Sequence, residues 1–502
     1  MMKLQAIWIY IGMLLCVSCY DDLGNYDYHS INEIKVVDGI AERYSAYSLV
    51  DTLKISPVLS FTEDSTSVDR FEYGWFVAKA GVNSGKLEKI SDKKDLVYPV
   101  NLPRETYIVL FKVKDRVTEV EWSSYTYLYV TTLFTNGWML LGERDGNVSL
   151  DMVSISTVGD TIVVTDVLKT SGLPALKGPR KMISTNHYRL STCCLLTDDG
   201  TYELDKVSLA SGATENILKD MYDPDVKPGF AASDIIQNSG YFRCMIGDNA
   251  LYVNSSLMSS GTYGNPINKY DKYSTEYFKV FPEFIWTVAS YGSFSGNVMV
   301  YDMDNKRFVK FPFSFNPLYK CDTLPDNAGD AFEWKTGNEM IAVFNSKFNS
   351  NAGNNTSYAV MKSPDNRYYI YSFCASSSKK GGKFDITDLP DIAQATQFAF
   401  SGKFPYMLYF AGSKLYACEF LAGGVTHKEL ADFGDEITML HFDTYREGGK
   451  DVFYVATYNE QNGGTVRKYQ LKDDANVIEI ERIENVNWTG LGKVTSMCWK
   501  WY

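Results

Sequence analysis

Apolar and polar positions are most regular between Asn136 and Ile155, NGWMLLGERDGNVSLDMVSI: an apolar run, a charged turn containing Gly146, and a second run with Val148, Leu150 and Met152 two apart. A two-residue period puts alternate side chains on opposite faces of a strand, so this stretch predicts a β-hairpin. The outline recurs at Cys193 to Val207, Tyr241 to Asn254, Thr287 to Met303, Ser357 to Phe373, Pro405 to Phe420 and Asp451 to Gln470. Asp, Asn, Gly or Ser stands in each turn, where a short polar side chain or a missing Cβ lets the backbone reverse. Seven hairpins follow one another at intervals of mostly 45 to 65 residues, near the period of a four-stranded propeller blade. A lone hairpin cannot bury its apolar face, whereas a ring of blades stacks face on face and leaves no long edge open. The expected fold of 133–502 is therefore a seven-bladed β-propeller, with six or eight blades or a large β-sandwich as alternatives. The aromatic tail Met497 to Tyr502 is read as the strand that closes the ring, not as an eighth hairpin.

Residues 31–131 carry a different pattern. Thr52 to Ser60 alternates, Arg70 to Val77 puts Phe71, Tyr73 and Trp75 on one face, and Thr106 to Asp115 and Trp122 to Val130 add two strands with no helical stripe between them. Short strands around a central Trp predict an immunoglobulin-like β-sandwich, with Trp75 in its core and Tyr127 and Tyr129 sharing a face. The chain as a whole is thus expected to be all-β. Glu215 to Tyr222 and Asp385 to Ala395 are its only short helical candidates.

Ahead of the sandwich, 1–18 has one Lys, an apolar run from Ala6 to Val17 and a small residue before Cys19. This reads as a signal peptide, too short for a membrane span. Leu14-Leu15-Cys16-Val17-Ser18-Cys19 resembles a bacterial lipobox, with Cys19 as the lipidated residue and 19–30 as a polar tether. Acyl chains contribute about 0.8 kcal/mol per buried methylene, enough in combination to hold a soluble body on a membrane. The acidic Asp21 and Asp22 just behind Cys19 resemble the surface-export signal of Bacteroidetes lipoproteins, which implies an outer-membrane location facing the medium.

The tether YDDLGNYDY, the strand FEYGWFV, the stretch YIVLFKVKDR and then FTNGWMLLGERDGNVSLDMVS together resemble the PKD-like family of Bacteroidetes lipoproteins. The resemblance runs from Cys19 to Ser154. It implies an amino-terminal PKD or immunoglobulin-type module before a larger β-rich region, and a setting beside outer-membrane uptake systems. It carries no catalytic residues over.

Composition narrows the partners. With 49 basic against 61 acidic residues and a formal charge of −12, phosphate backbones would be repelled, which argues against nucleic acid. Cys193, Cys194, Cys244, Cys321, Cys374, Cys418 and Cys498 are scattered through apolar strands without zinc-ligand spacing and read as buried free thiols. His29, His187, His427 and His441 form no HExxH, and no nucleophile elbow, phosphate loop or dinucleotide fingerprint is present. His427 and His441 are within reach across one blade but read as surface histidines. The acidic run Asp302-Met303-Asp304-Asn305 reads as a hairpin turn in preference to a Ca²⁺ loop. No metal, cofactor or catalytic residue is assigned.

The expected function is a surface lipoprotein that binds a nutrient ligand, a glycan, as accessory to outer-membrane transport proteins. Trp286, Trp334 and Trp488, near blade edges or in loops between hairpins, are the candidate exposed aromatics for that ligand. The alternatives are a structural or protein-interaction component of an outer-membrane complex, and a carbohydrate-active enzyme. Aromatics gathered in one concave mouth would favour the first class, a broad flat patch the second, and an enclosed pair of carboxylates the third.

Overall fold

In the computed structural model the described residues are 32–48, 50–63, 68–81, 86–155, 161–185, 192–222, 226–237, 241–255, 261–285, 296–314, 319–346, 356–421, 423–443, 447, 450–472 and 478–500. The chain divides into two compact units, 1–130 and 131–502, and the described parts of both are built from strands.

The first unit is a β-sandwich. Its five-stranded sheet runs in the order Arg43–Tyr47, Glu121–Thr131, Thr106–Asp115, Phe71–Lys79, Glu88–Ser91. Two strand pairs complete it, Ile34–Asp38 with Val58–Phe61 and Thr52–Ile55 with Leu96–Pro99. Trp75, Val109, Phe111 and Leu128 are wholly buried at the centre, and the Trp75 indole N–H donates to the Lys94 carbonyl at 3.1 Å. The stretch Thr52 to Ser60, expected as one strand, is two. Pro57 lacks an N–H and breaks the ladder, so the halves join different partners. Beneath the surface Asp115, with no accessible side-chain area, pairs with Arg70 at 2.7 Å, and the guanidinium holds its carboxyl down to about 2.

The second unit is propeller-like and holds seven antiparallel sheets in chain order. The first contains Gly137–Arg144, Asn147–Ile155, Thr161–Val164 and, from the far end of the chain, Lys493–Lys500. The second to seventh begin at Pro179–Thr185, Ala232–Gln237, the Ile285 bridge to Met299, Glu339–Asn345, Gln397–Phe400 and Glu436–Phe442. Six of the expected hairpins stand where the periodicity puts them. The fourth is shifted. Gly296–Asp302 pairs with Arg307–Phe313, so its turn is Met303 to Lys306, and the turn expected near Ser293 lies outside the described residues.

The middle strands read as continuous apolar runs because both of their faces are covered. In the first sheet Met139 and Leu141 pack toward Leu195 and Met182 of the second, while Trp138 and Leu140 pack toward Tyr454 and Val466 of the seventh. A separate apolar cluster fills each step from sheet to sheet, the step from seventh to first included. The carboxyl-terminal strand pairs with Gly137–Glu143 from Lys500 back to Lys493. Gly142 is required there, since a Cβ would lie 2.4 Å from the Lys493 carbonyl oxygen. The buried Asp151 carboxylate ties the strand down further by accepting from the Gly492 and Asp166 amides at 2.8 and 2.7 Å. Residues 501 and 502 of the expected closing strand lie outside the described residues.

The helical candidates are single 3₁₀ turns, Ala213–Glu215, Ile217–Asp220 and Ile392–Gln394. Of the seven cysteines six are buried and Cys498 is half-buried, all unpaired.

Candidate functional site

The sheets of the second unit touch one another through their first strands. Lys181 reaches Asp234 on the third sheet at 2.7 Å, and Asp234 accepts from the Phe284 amide of the fourth at 3.0 Å. Asn345 of the fifth donates to the Phe284 carbonyl at 3.4 Å, and Ser346 to the Ser401 carbonyl of the sixth at 2.8 Å. Gln397 accepts from the Leu440 amide of the seventh at 2.6 Å, and Thr438 donates to the Val494 carbonyl of the first at 2.6 Å. The Ser184 amide donates to Cys498, joining the first and second.

Four titratable side chains act on one another across these sheets: Lys181 pairs with Asp234, and its charge reaches Glu283 and His441. Asp234 is nearly inaccessible, whereas the Lys181 side chain keeps 36% of its surface open to water. Burial works against the Lys181 ammonium, yet Asp234 and Glu283 outweigh it and hold its pKa above the ordinary value. Glu283 is pushed upward by burial, against the pull of Lys181 and of the Val343 amide that donates to it. Burial, with the Lys181 charge adding to it, brings His441 down to about 4 despite Asp443, so the imidazole is neutral at pH 7. Trp138 stands edge-on to that ring at 5.8 Å between centroids. The group thus combines carboxylate acceptors, an ammonium donor and a neutral imidazole. Among the described residues no group of three or more His, Cys, Asp or Glu is arranged to hold a metal.

Two of the three expected aromatics are buried elsewhere. Trp334 is 1% exposed, packed among Phe308, Phe332 and Phe373. Its ring lies beneath the Lys380 ammonium at 5.2 Å, which is also bound by Asp326 and Asp330. Trp488 is 8% exposed and stacks on Tyr454 at 5.8 Å. An indole near a sheet edge is still covered when the neighbouring sheet packs on it, so neither is a surface platform. Trp286 and Cys19 lie outside the described residues, as do His29 and His187. His427 is exposed on the sixth sheet and His441 interior on the seventh, so they do not meet. The Asp302 carboxylate is taken up by its own turn, accepting from Asp304, from Asn305 and from Tyr270.

Sequence reasoning missed Lys181, Asp234 and Glu283. Asp234 is an acid among the buried residues of ASDIIQ, which was an available signal, whereas Lys181 follows Arg180 in the mixed strand PRKMIST and carries none. The sequence does show one set of exposed aromatics: Tyr125, Tyr127 and Tyr129 stand two apart on one face of Glu121–Thr131.

Residues 19–178 match the PKD-like family. The chain has an amino-terminal PKD-like module. No curated protein matches it. Among solved structures, a quinonprotein alcohol dehydrogenase-like protein of Bacteroides thetaiotaomicron is 12% identical, with 94% of this chain and 100% of that one covered and a TM-score of 0.40. A candidate 6-phosphogluconolactonase of Bacteroides uniformis is 9% identical over 73% and 99% of the two chains, with a TM-score of 0.43. PorZ, a surface component of the type-IX secretion system of Porphyromonas gingivalis, is 11% identical over 79% and 43%, with a TM-score of 0.32. Likenesses this distant bear on neither substrate nor activity.

Proposed function

We propose that this chain is a lipoprotein, anchored through Cys19 to the outer membrane and facing the medium, that binds a nutrient glycan as accessory to outer-membrane transport proteins. In this reading 131–502 is a seven-bladed β-propeller closed by Lys493–Lys500, and the ligand enters its axis. The observation that supports it is the Lys181–Asp234 pair between the second and third sheets, with Glu283 and His441 close enough for the Lys181 charge to act on both. The Lys181–Asp234 pair offsets its own charge and His441 is neutral, so the site suits a ligand that exchanges many hydrogen bonds and little charge. Sugar hydroxyls fit that description, donating to Asp234 and Glu283 and accepting from Lys181 and His441.

The test is calorimetric titration of the intact protein with a panel of neutral oligosaccharides. Wild type should bind one of them, and Asp234→Asn and Lys181→Met should each weaken it by about tenfold or more, the value of one hydrogen bond to a charged group. Binding unchanged in both variants would move the site elsewhere. No binding by wild type would transfer the weight to an interaction component, and sugar released in the same mixtures would make the enclosed carboxylates catalytic.

A further inference from the structure

The outer face of the five-stranded sheet of the sandwich is the other place where side chains stand ready without a partner. Tyr125, Tyr127 and Tyr129 are 60%, 37% and 39% exposed. Among the described residues none of their hydroxyls has a hydrogen-bond partner. Tyr125 and Tyr127 meet edge to face, 5.9 Å between centroids, so neighbouring positions offer a ring face and a ring edge. Behind them the register lays down a half-exposed apolar floor. Leu110 and Ile108 lie opposite Tyr125 and Tyr127, and Phe76 and Ala78 lie opposite Leu110 and Ile108. Lys112 pairs with Glu121 at 2.6 Å and covers the Phe76 ring at 5.6 Å, and the exposed Lys89 lies opposite Phe76 at the edge.

We infer that this face is a second binding site, for an extended neutral polysaccharide lying along Tyr125, Tyr127 and Tyr129. Two arguments choose that occupant. The first is size. Three strands at about 4.8 Å spacing and five residues at about 3.4 Å rise make a strip of roughly 10 by 14 Å, far below the ~800 Å² that each partner contributes to a stable protein interface. A strip one chain wide suits a polymer thread. The second is chemistry: between the Lys112–Glu121 pair and Lys89 at its edge the strip offers aromatic C–H stacking surface and phenol hydroxyls, which complement an uncharged sugar. The inference rests on the glycan reading above, yet it places polymer capture on the sandwich and soluble-sugar binding on the propeller axis.

The experiment passes the intact protein over insoluble cellulose, starch granules and mannan, and in parallel titrates it with soluble oligosaccharides. Retention on one matrix is expected, lost at least tenfold in Tyr125→Ser/Tyr127→Ser/Tyr129→Ser and kept in Asp234→Asn. The single variant Tyr127→Ser, expected to weaken retention and leave the melting curve unchanged, decides the matter if the triple variant folds poorly. Equal retention by the serine variants and wild type overturns the inference and leaves the axial site standing. Soluble sugars bound with no matrix retained overturns it likewise. Neither bound overturns the glycan reading and this inference with it, and retention that titrates away with salt, which marks a charged partner, also overturns it.

Discussion

The two units use the same residue type in opposite ways. In the sandwich only one side of the large sheet is covered, so Trp75 and Phe111 sit inside while Tyr125, Tyr127 and Tyr129 stand in solvent. In the propeller-like unit the middle strands are covered on both faces, so Trp138, Tyr358, Tyr409 and Tyr454 are interior, as is Trp334, while the exposed Tyr222, Tyr270, Tyr273, Tyr277 and Tyr319 lie outside the strands. An aromatic in the first unit is exposed or buried according to its parity along the strand. In the second, parity decides only which neighbouring sheet it meets. On the strands, aromatic content is therefore a guide to a ligand surface in one unit and to packing in the other.

The hardest way to break this contrast is to remove the strand that makes the first sheet two-sided. Deleting 493–502 uncovers Trp138 and Leu140 and opens the edge of Gly137–Arg144. Calorimetry should then show the transition of 131–502 lost or made non-cooperative while that of the sandwich stays. Next, Trp334→Ala should cost about 3–5 kcal/mol by the usual penalty for an emptied aromatic site, read from denaturant midpoints; a cost under about 1 kcal/mol would mean the indole is not interior.

In the sandwich Arg70→Ala strands a buried carboxylate and should cost about 3 kcal/mol, confined to the first unit's transition. His441 sharpens the contrast through pH. Its folded value, about 4, lies below the ordinary 6.5, so between these two values the unfolded chain takes up a proton that the folded chain refuses. Stability should fall as pH drops from about 6.5 to 4, by up to about 3 kcal/mol. His441→Gln should flatten that limb relative to wild type, and an unchanged slope would place His441 in open solvent. The smallest effect belongs to the exposed tyrosines: Tyr127→Ser should shift stability by no more than about 0.5 kcal/mol.

Local pattern alone was enough for the strands. Periodicity two in Thr106 to Asp115 and in Asn136 to Ile155, with polar turn residues between runs, dictates hairpins wherever the chain is placed, because alternation and turn chemistry act over a few residues. The same pattern marked Trp75 as core and Tyr127 and Tyr129 as sharing a face. Pro57 could have been read as the break in Thr52 to Ser60, since its missing N–H is a local fact. Which face of a strand is covered is not local. Trp334 and Trp488 were expected at the surface from their places between hairpins, and they are buried because the next sheet, tens of residues away in sequence, lies on them. Lys181, Asp234, Glu283 and His441 span 261 positions from first to last and share no motif. Only the succession of seven sheets, with Lys493–Lys500 brought back to Gly137–Arg144, puts them together, because packing of covered faces sets distances that no spacing along the chain records.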